Sequence, residues 1–587
     1  MKILKNKKIV FLAVNASYSH FMLSYAYLRA YTEDKQPKWS WNLIEQTIND
    51  DLELSVYRIA KEKPDIIIST LYLFNHEQCI KILQTVAKIL PNTFIFLGGP
   101  EFLGNNNQFL KRNLFVDAVF RGDESSFFNI LNLINDKSAW ENIPGICYIS
   151  KNKYFDFGNA QISEEFNAIP SPYEKDLIPN NKAFVQLETS RGCHGNCAFC
   201  TSSISNTYNI YSLNRVKADL QYLREKGIKE IRILDRTFNE NTQRTLDLLE
   251  IFNSNFPEMH FHLEFNPALL NDSVLTMLQK SPHGKFHIEV GIQTLQSDIS
   301  KNLNRYGSTK KALLGLINLC NLTNIEIHAD LLAGLPEQNY QNIINDIKIL
   351  IKIAPTEIQL EILKMLPGTK LHAANLKEII YNSNPPYQVI QTNNLTFENI
   401  QYIRCMSKVI DSYYNSHYLQ SLFKYLTMKY ENFLEDFTIS DFIMIKDFRK
   451  KHLKERFLKI KEFIQDFSDC KDLELLKFSW LTAGLPISEY DIKSSSKPIT
   501  AEKTKLIWQS SSNTKSKRHY TVTFEYPISE LYLHNTNTIL DSLKNNILQN
   551  FENNHNIEFQ CKLKKRTTTY LFKLAYGNNP SQILEIL

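Results

Sequence analysis

The sequence predicts an α/β chain in three parts. These are an N-terminal Rossmann-like parallel sheet, a partial (β/α)6 TIM-like barrel, and a C-terminal region that is helical and then small α+β. Three observations predict it. Short apolar runs alternate with helix-spaced segments over residues 8–135, and the alternation resumes over 183–380. Beyond 400 it gives way to long helical patterns rich in Tyr, Phe and Lys. At 587 residues the chain has room for three or four domains of about 150 residues each. The expected divisions are 1–140, a linker over 141–182, 183–380 and 381–587, with the α+β part after about 519.

In the first series Ile9–Val14 is a strand, Ser24–Thr32 a helix, Trp41–Ile44 a strand and Leu52–Glu62 a helix. Asp65–Leu71, Thr93–Leu97 and Val116–Phe120 are strands, and Glu77–Leu90 is a helix. Strands that alternate with helices pair in parallel, and such sheets hold ligands beyond the carboxyl ends of their strands. Residues 136–182, with Pro144, Pro170, Pro172 and Pro179, read as a linker with a few strands. The second series has strands at Ala183–Leu187, Glu230–Leu234, His260–Phe265, Lys285–Val290, Ile325–Leu331 and Glu357–Leu363. Helices separate them at Arg215–Lys226, Gln243–Asn253, Asp272–Leu278, Lys310–Leu319 and Tyr340–Ile353. Six such units suit a barrel or partial barrel, whose active site lies at the C-terminal strand ends. The polar stretch 494–518 reads as an exposed connection, followed by strands at Tyr520–Tyr526 and Tyr570–Leu574 and a helix at Thr538–Phe551.

Composition narrows the function. With 43% hydrophobic and 22% charged residues the chain is an ordinary globular protein, which excludes a disordered or collagen-like one. The net charge of +5 is too small to imply nucleic acid or an anionic membrane as partner. No run approaches the ~18 apolar residues of a membrane span. Lys2, Lys5, Lys7 and Lys8 precede an apolar run of only six residues, Ile9 to Val14, which reads as a buried strand rather than a signal peptide. The expectation is a cytoplasmic protein.

Of nine cysteines, Cys193, Cys197 and Cys200 fall together and six are scattered. The cluster stands in Glu188-Thr189-Ser190-Arg191-Gly192-Cys193-His194-Gly195-Asn196-Cys197-Ala198-Phe199-Cys200, just after a predicted strand. A cubane iron–sulfur cluster normally takes four cysteine ligands. Three thiolates on one short loop can hold three of its irons and leave the fourth open to a small ligand. The alternatives are zinc held by the three cysteines with His194 or a distant ligand, and chance spacing of buried thiols. Adjacent Cys193 and His194 rarely both reach one small ion, which favours the iron–sulfur reading.

This spacing, with the aromatic Phe199 before the last cysteine, resembles the signature of radical S-adenosylmethionine (radical SAM) enzymes. The resemblance implies a [4Fe–4S] cluster whose open iron chelates the methionine part of the cofactor, and one-electron cleavage of the sulfonium. The later strand ends carry Glu264, Glu289, Gln293, Asp330 and the segment Leu363 to Thr369, with Arg305 twelve residues past Gln293. They resemble the radical enzymes that share a module with oxygen-independent coproporphyrinogen oxidase. That likeness implies S-adenosylmethionine contacts from Glu264, Glu289, Gln293, Arg305 and Asp330. Arg305 suits a two-point clamp on a carboxylate. The second strand departs from the common Gly-Gly-Glu and carries Leu234-Asp235-Arg236-Thr237-Phe238-Asn239. Asp235 and Thr237 are expected to contact the cofactor's amine, against the plainer reading of a strand-end turn held by Asp235 and Asn239.

The N-terminal sheet resembles the cobalamin-binding domain of cobalamin-dependent radical SAM enzymes. The segments that carry this are Val14 to His20, Ser69 to Tyr72, Leu97 to Glu101 and Arg121 to Glu124. They imply cobalamin contacts from Asn15, Ser17, Tyr18, Thr70, Tyr72, Gly98, Gly99, Pro100, Glu101, Gly122 and Glu124. The Asp-x-His-x-x-Gly motif that supplies a lower histidine ligand in mutase-type domains is absent. Base-off cobalamin without a histidine ligand is therefore expected. The resemblance covers roughly residues 8–430, to a family whose C-terminal region is of uncharacterised function. It implies methylation of an unactivated carbon of a small-molecule or peptide substrate, with an electron donor such as flavodoxin or ferredoxin. The alternatives are a rearrangement, cyclisation or oxidation without methyl transfer, and a non-catalytic cobalamin or redox-responsive binding protein.

Overall fold

A computed structural model describes residues 7–160, 166–204, 207–443 and 452–486, with strands 518–524, 568–574 and 582–586 and Tyr526 and Ile528 beyond them. The expected connection over 494–517 and the helix Thr538–Phe551 lie outside the described residues. The fold is mixed α/β with two mainly parallel sheets. The chain divides into two compact units. One is Met1–Ile327 with Leu332–Asn339 and Ile362–Phe397, and the other is His328–Leu331, Tyr340–Glu361 and Glu398–Leu587.

The first sheet holds β1 (Lys7–Asn15), β2 (Trp39–Thr47), β3 (Ile66–Thr70), β4 (Phe94–Gly98), β5 (Ala118–Phe120), β6 (Ile146–Ser150) and β7 (Lys153–Asp156), in the order β2-β1-β3-β4-β5-β6-β7. The first five are parallel, and β6 and β7 add antiparallel at one edge from within the expected linker. Strand β1 shows why this sheet is covered on both faces. Its alternate residues Ile9, Phe11 and Ala13 enter one apolar cluster with Tyr25 and Trp140, while Val10, Leu12 and Val14 enter another with Ile59, Ile82 and Leu83. The helices Leu23–Thr32 and Glu124–Leu133 cover the first face, and Leu52–Glu62 and His76–Ile89 the second. The strand order reverses between β1 and β3, so Asn15 and Thr70 flank the crevice where such sheets take ligands.

The second sheet has the order β15-β14-β13-β12-β11-β8. Its strands are β8 (Val185–Leu187), β11 (Glu230–Ile233), β12 (His260–Phe265), β13 (Phe286–Gln293), β14 (Glu326–Ala333) and β15 (Glu357–Ile362). A small hairpin of β9 (Ser190–Gly192) and β10 (Tyr208–Ile210) follows β8. The intervening helices start as their caps dictate. Ser212, Asn241, Asn271 and Ser308 each accept a bond from a backbone N–H three residues on, at 3.0 to 3.3 Å. Burial alternates strictly along β12 and β13: Phe261, Leu263, Phe265, Ile288 and Val290 pack inward, and His262, Glu264, His287 and Glu289 face the other way. Strands β16 (Ile379–Tyr381) and β17 (Val389–Thr392) pair antiparallel. The C-terminal helices pack through Tyr413, Phe423, Phe433 and Phe437, and β18 (Arg518–Phe524), β19 (Thr568–Leu574) and β20 (Gln582–Ile586) form an antiparallel sheet.

Candidate functional site

The cysteine loop leaves the end of β8 under three restraints. Asp235, buried at the end of β11, accepts bonds from the backbone N–H of Thr189 and of Ser190, each at 2.8 Å, and from the Thr189 hydroxyl. Burial pushes the Asp235 carboxyl above its usual range. Arg244 donates to the Thr189 carbonyl at 2.9 Å. Arg191 forks onto Glu124 at 3.1 and 3.2 Å and donates to Glu188 at 2.7 Å. The turn into Cys193 needs glycine: Gly192 sits at φ +93°, and a Cβ there would overlap the Thr207 carbonyl oxygen at 1.9 Å.

Two of the three thiols have polar partners. The Cys193 sulfur accepts from the Gly195 N–H at 3.2 Å and lies 3.5 Å from the Thr237 hydroxyl. The buried Cys197 sulfur accepts from the Arg305 guanidinium at 3.7 Å. Phe199 and Cys200 are half-buried. His194 is turned to Glu240, 3.0 Å away. Among the described residues no three His, Cys, Asp or Glu side chains converge on one metal ion. A tetrahedral zinc draws every thiolate to about 2.3 Å from a single centre, whereas a cubane spreads three thiolates over three irons. Three thiols on one loop, with N–H donors aimed at the sulfurs of Cys193 and Cys197, fit the cluster.

Around the loop, β13 ends in Gln293, and Arg305 comes back beside it. Gln293 takes a left-handed φ of +68°, uncommon for a residue with a side chain. Arg305 donates to the Gly291 carbonyl, and a Cβ on Gly291 would meet Gln293 Nε2 at 2.5 Å and an Arg305 nitrogen at 3.0 Å. Glycine at 291 therefore leaves the space in which Gln293 and Arg305 meet. Glu264 and Glu289 are register partners on β12 and β13. Arg236 reaches Glu264 at 3.5 Å, and His262 reaches Glu289 at 3.1 Å. The structure thus brings Cys193, Cys197, Thr237 and Arg305 together. Asp235 is engaged with the backbone of the cysteine loop, and Asn239 with Asn266, so neither holds the turn of their own strand end. Asp330 lies in the second compact unit, 3.3 Å from His328.

At the first sheet, several expected cobalamin residues already have partners within the chain. Asn15 donates to Glu45 at 2.8 Å. The Ser17 hydroxyl and His20 Nδ1 are 2.8 Å apart, and the Tyr18 hydroxyl donates to Asp50 at 2.7 Å. The hydroxyls of Thr70 and Ser24 are 2.9 Å apart, and Tyr72 stacks on Phe74. Glu101, after Pro100, is buried between His76 at 2.7 Å and the Tyr387 hydroxyl at 2.9 Å. Glu124 is taken by Arg191. Gly99 at φ +104° lies where a Cβ would strike the Leu71 carbonyl oxygen at 2.6 Å, and one on Gly122 would strike Ser126 Oγ at 2.5 Å. Above Gly98 there is open space. Sequence reasoning did not single out Arg191, Arg236, Arg244 or Tyr387. Only Arg191 and Arg236 carried a signal, as lone cations inside the quoted loop and strand end.

A loop of three cysteines at the end of the first strand of a parallel β/α series defines a radical SAM domain, and residues 187–350 match the family described as Radical SAM superfamily. Residues 378–561 match a second family, described as a protein of unknown function, DUF4080. The chain is 25% identical over 323 residues to an uncharacterized methyltransferase of Pyrococcus horikoshii, covering 53% of this chain and 70% of that protein. It is 22% identical over 250 residues to the cobalamin-dependent radical SAM methyltransferase TokK of Streptomyces tokunonensis, covering 40% of this chain and 36% of TokK. In fold it resembles the cobalamin-dependent S-adenosylmethionine radical enzyme OxsB, solved with aqua-cobalamin and S-adenosylmethionine bound. That match has a TM-score of 0.57 and 14% identity, covering 93% of this chain and 84% of that one. The radical SAM methyltransferase TsrM of Kitasatospora setae gives 0.53 at 13% identity, over 65% and 78%. The chain is thus similar, in sequence over part of its length and in fold, to cobalamin-dependent radical SAM enzymes.

Proposed function

We propose that this protein is a cobalamin-dependent radical SAM enzyme that methylates an unactivated carbon of a small-molecule or peptide substrate. The first sheet serves as a Rossmann-like cobalamin domain, the second as a partial (β/α)6 barrel, and the region after 381 as an accessory domain. The observation that carries the reading is the meeting of Cys193, Cys197, Thr237 and Arg305 at the strand ends. When bound, the cluster supplies one electron for sulfonium cleavage and cobalamin supplies a transferable methyl group.

The chain's own residues do the holding. Cys193, Cys197 and Cys200 ligate the cluster, with the Gly195 N–H and Arg305 donating to two of the sulfurs. In this reading Arg305 and Gln293 receive the carboxylate and amine of S-adenosylmethionine, and Glu264 and Glu289 accept from its hydroxyls. Gly98, Gly99 and Tyr72 line the cobalamin side, where a Cβ on Gly98 would meet nothing within 4 Å. His20 and His76 are engaged with Ser17 and Glu101, which supports base-off cobalamin without a histidine ligand. The electron donor is a flavodoxin- or ferredoxin-like protein, and the setting is the cytoplasm. A closed cavity between the cofactors would hold the substrate carbon in reach and keep water from the radical.

The test is anaerobic purification with added hydroxocobalamin, followed by iron, sulfide and cobalt analysis and turnover with S-adenosylmethionine. Iron and sulfide lost in the Cys193→Ala variant, with both 5′-deoxyadenosine and S-adenosylhomocysteine formed by the parent, are expected. S-adenosylhomocysteine without 5′-deoxyadenosine, or zinc in place of iron, overturns the reading. A product without an added methyl carbon would assign a rearrangement, cyclisation or oxidation instead.

A further inference from the structure

Arg191 joins two parts of the chain that the sequence keeps 67 residues apart. Its guanidinium forks onto both oxygens of Glu124 at 3.1 and 3.2 Å and reaches Glu188 at 2.7 Å. It also lies over the rings of Tyr27 and Phe166, 5.3 and 5.4 Å from their centres. The Glu124 side chain is 8% exposed and that of Arg191 21%. A buried ion pair of this kind is seldom needed for stability, since apolar residues of similar volume often replace it without loss. Fixing one arrangement against others is its best-attested use.

Both ends of this pair sit beside a proposed cofactor site. Glu124 is the first residue of the helix Glu124–Leu133, capped by Asp123, and is joined to the carboxyl end of β5 by Arg121, Gly122 and Asp123. Gly122, between them, is packed closely against Ser126 and Ala160: a Cβ there would meet Ser126 Oγ at 2.5 Å and Ala160 Cβ at 2.7 Å. A shift of Glu124 is therefore passed to the loop at the strand ends of the first sheet. At the other end Arg191 is two residues from Cys193, in a stretch whose Thr189 and Ser190 are held by Asp235. A shift of Arg191 is passed to the thiols.

We infer that Arg191 is a positioning residue, a strut between the cysteine loop and the helix Glu124–Leu133, through which occupancy of the cluster site and of the cobalamin site are energetically coupled. The inference rests on the proposed cofactor assignment. Filling either site narrows the positions open to the strut and so favours the other, and the coupling must be equal in both directions.

The experiment measures hydroxocobalamin binding by absorbance on the full chain, both cluster-free and reconstituted. Circular dichroism and iron content are recorded for each form. The parent is expected to bind hydroxocobalamin about fivefold or more tightly with its cluster than without. In Arg191→Lys, which keeps the charge but loses the fork, and in Arg191→Met, which keeps the apolar stem, the ratio of the two dissociation constants falls toward one while both forms still bind. A parent ratio of one, or an undiminished ratio in folded variants, overturns the strut. Parent protein that binds no hydroxocobalamin in either form overturns the cofactor assignment itself, a different result from lost coupling. Should both variants misfold, the parent ratio decides alone.

Discussion

Asp235 accepts a hydrogen bond from the backbone N–H of Ser190 at 2.8 Å, so a carboxylate on one strand holds the loop that leaves its neighbour. The Thr189 N–H and hydroxyl are its other donors. In Asp235→Ala these three donors stay buried without their acceptor, at about 1–3 kcal/mol each. The expected outcome is a urea midpoint lowered by several kcal/mol equivalent and iron uptake below half that of the parent. Asp235→Asn keeps an acceptor oxygen and should fall between. Parental iron content in Asp235→Ala would show that the loop is held by other means.

The same residue marks where sequence reasoning stops. The β/α alternation was legible because apolar periodicity reports burial directly, and β3, β12 and the helix Leu52–Glu62 lie within a residue or so of their predicted spans. The cysteine loop was legible because its ligands are neighbours in sequence. A strand-end carboxylate is different. Asp235 and Glu124 look the same in sequence whether they accept from a bound cofactor or from the chain, and their partners lie 46 and 67 residues away. Nor does composition announce that Gln293 adopts a left-handed backbone beside Gly291 and Arg305. The edge strands β6 and β7 fall in the linker where a few strands were expected, and at five and four residues their alternation was too brief to give them bounds.

Two glycines separate binding from folding. A Cβ at Gly291 meets only the far ends of Gln293 and Arg305, which can swing aside, whereas one at Gly315 would lie 2.0 Å from the Pro267 carbonyl oxygen, which cannot. Gly291→Ala is therefore expected to keep its stability within about 1 kcal/mol and to lose about tenfold or more in S-adenosylmethionine affinity by calorimetry on reconstituted protein. Gly315→Ala is expected to lower the melting temperature sharply by prising the helix Thr309–Cys320 from Pro267. Equal melting temperatures for the two variants would refute the distinction.

Tyr387 and His76 converge on one buried carboxylate, Glu101, in the loop after β4. Burial, with Glu101 alongside, pushes the Tyr387 hydroxyl well above its usual range, so it remains a donor at any ordinary pH. Tyr387→Phe removes that donor and leaves Glu101 to His76 alone. A loss of about 1–3 kcal/mol is expected in urea denaturation at pH 7. The loss should shrink in a Glu101→Gln background, because a neutral side chain needs the second donor less. A double-mutant cycle with no coupling between the two positions would contradict the contact.

Lys285 offers a test by pH. Its ammonium is buried at the start of β13 and donates to the carbonyls of Met259, at 2.6 Å, and Phe256, and burial lowers its pKa to about 8. In the unfolded chain the lysine titrates near 10.4. Below about pH 8 both states carry the proton and stability is flat with respect to this group. Between about 8 and 10.4 the unfolded chain binds more protons than the folded one, so stability rises with pH, by at most about 1.4 kcal/mol per pH unit. Urea unfolding of the parent at pH 7.5 and 9.5 should therefore show a gain on going alkaline that Lys285→Met lacks. The Met variant should be the weaker of the two at both values, since it leaves the Met259 and Phe256 carbonyls without their donor. The tyrosines whose ionisation burial opposes, Tyr27 and Tyr173 among them, are common to both proteins and cancel in the comparison. Identical pH slopes for parent and variant would mean that Lys285 keeps its proton through this range.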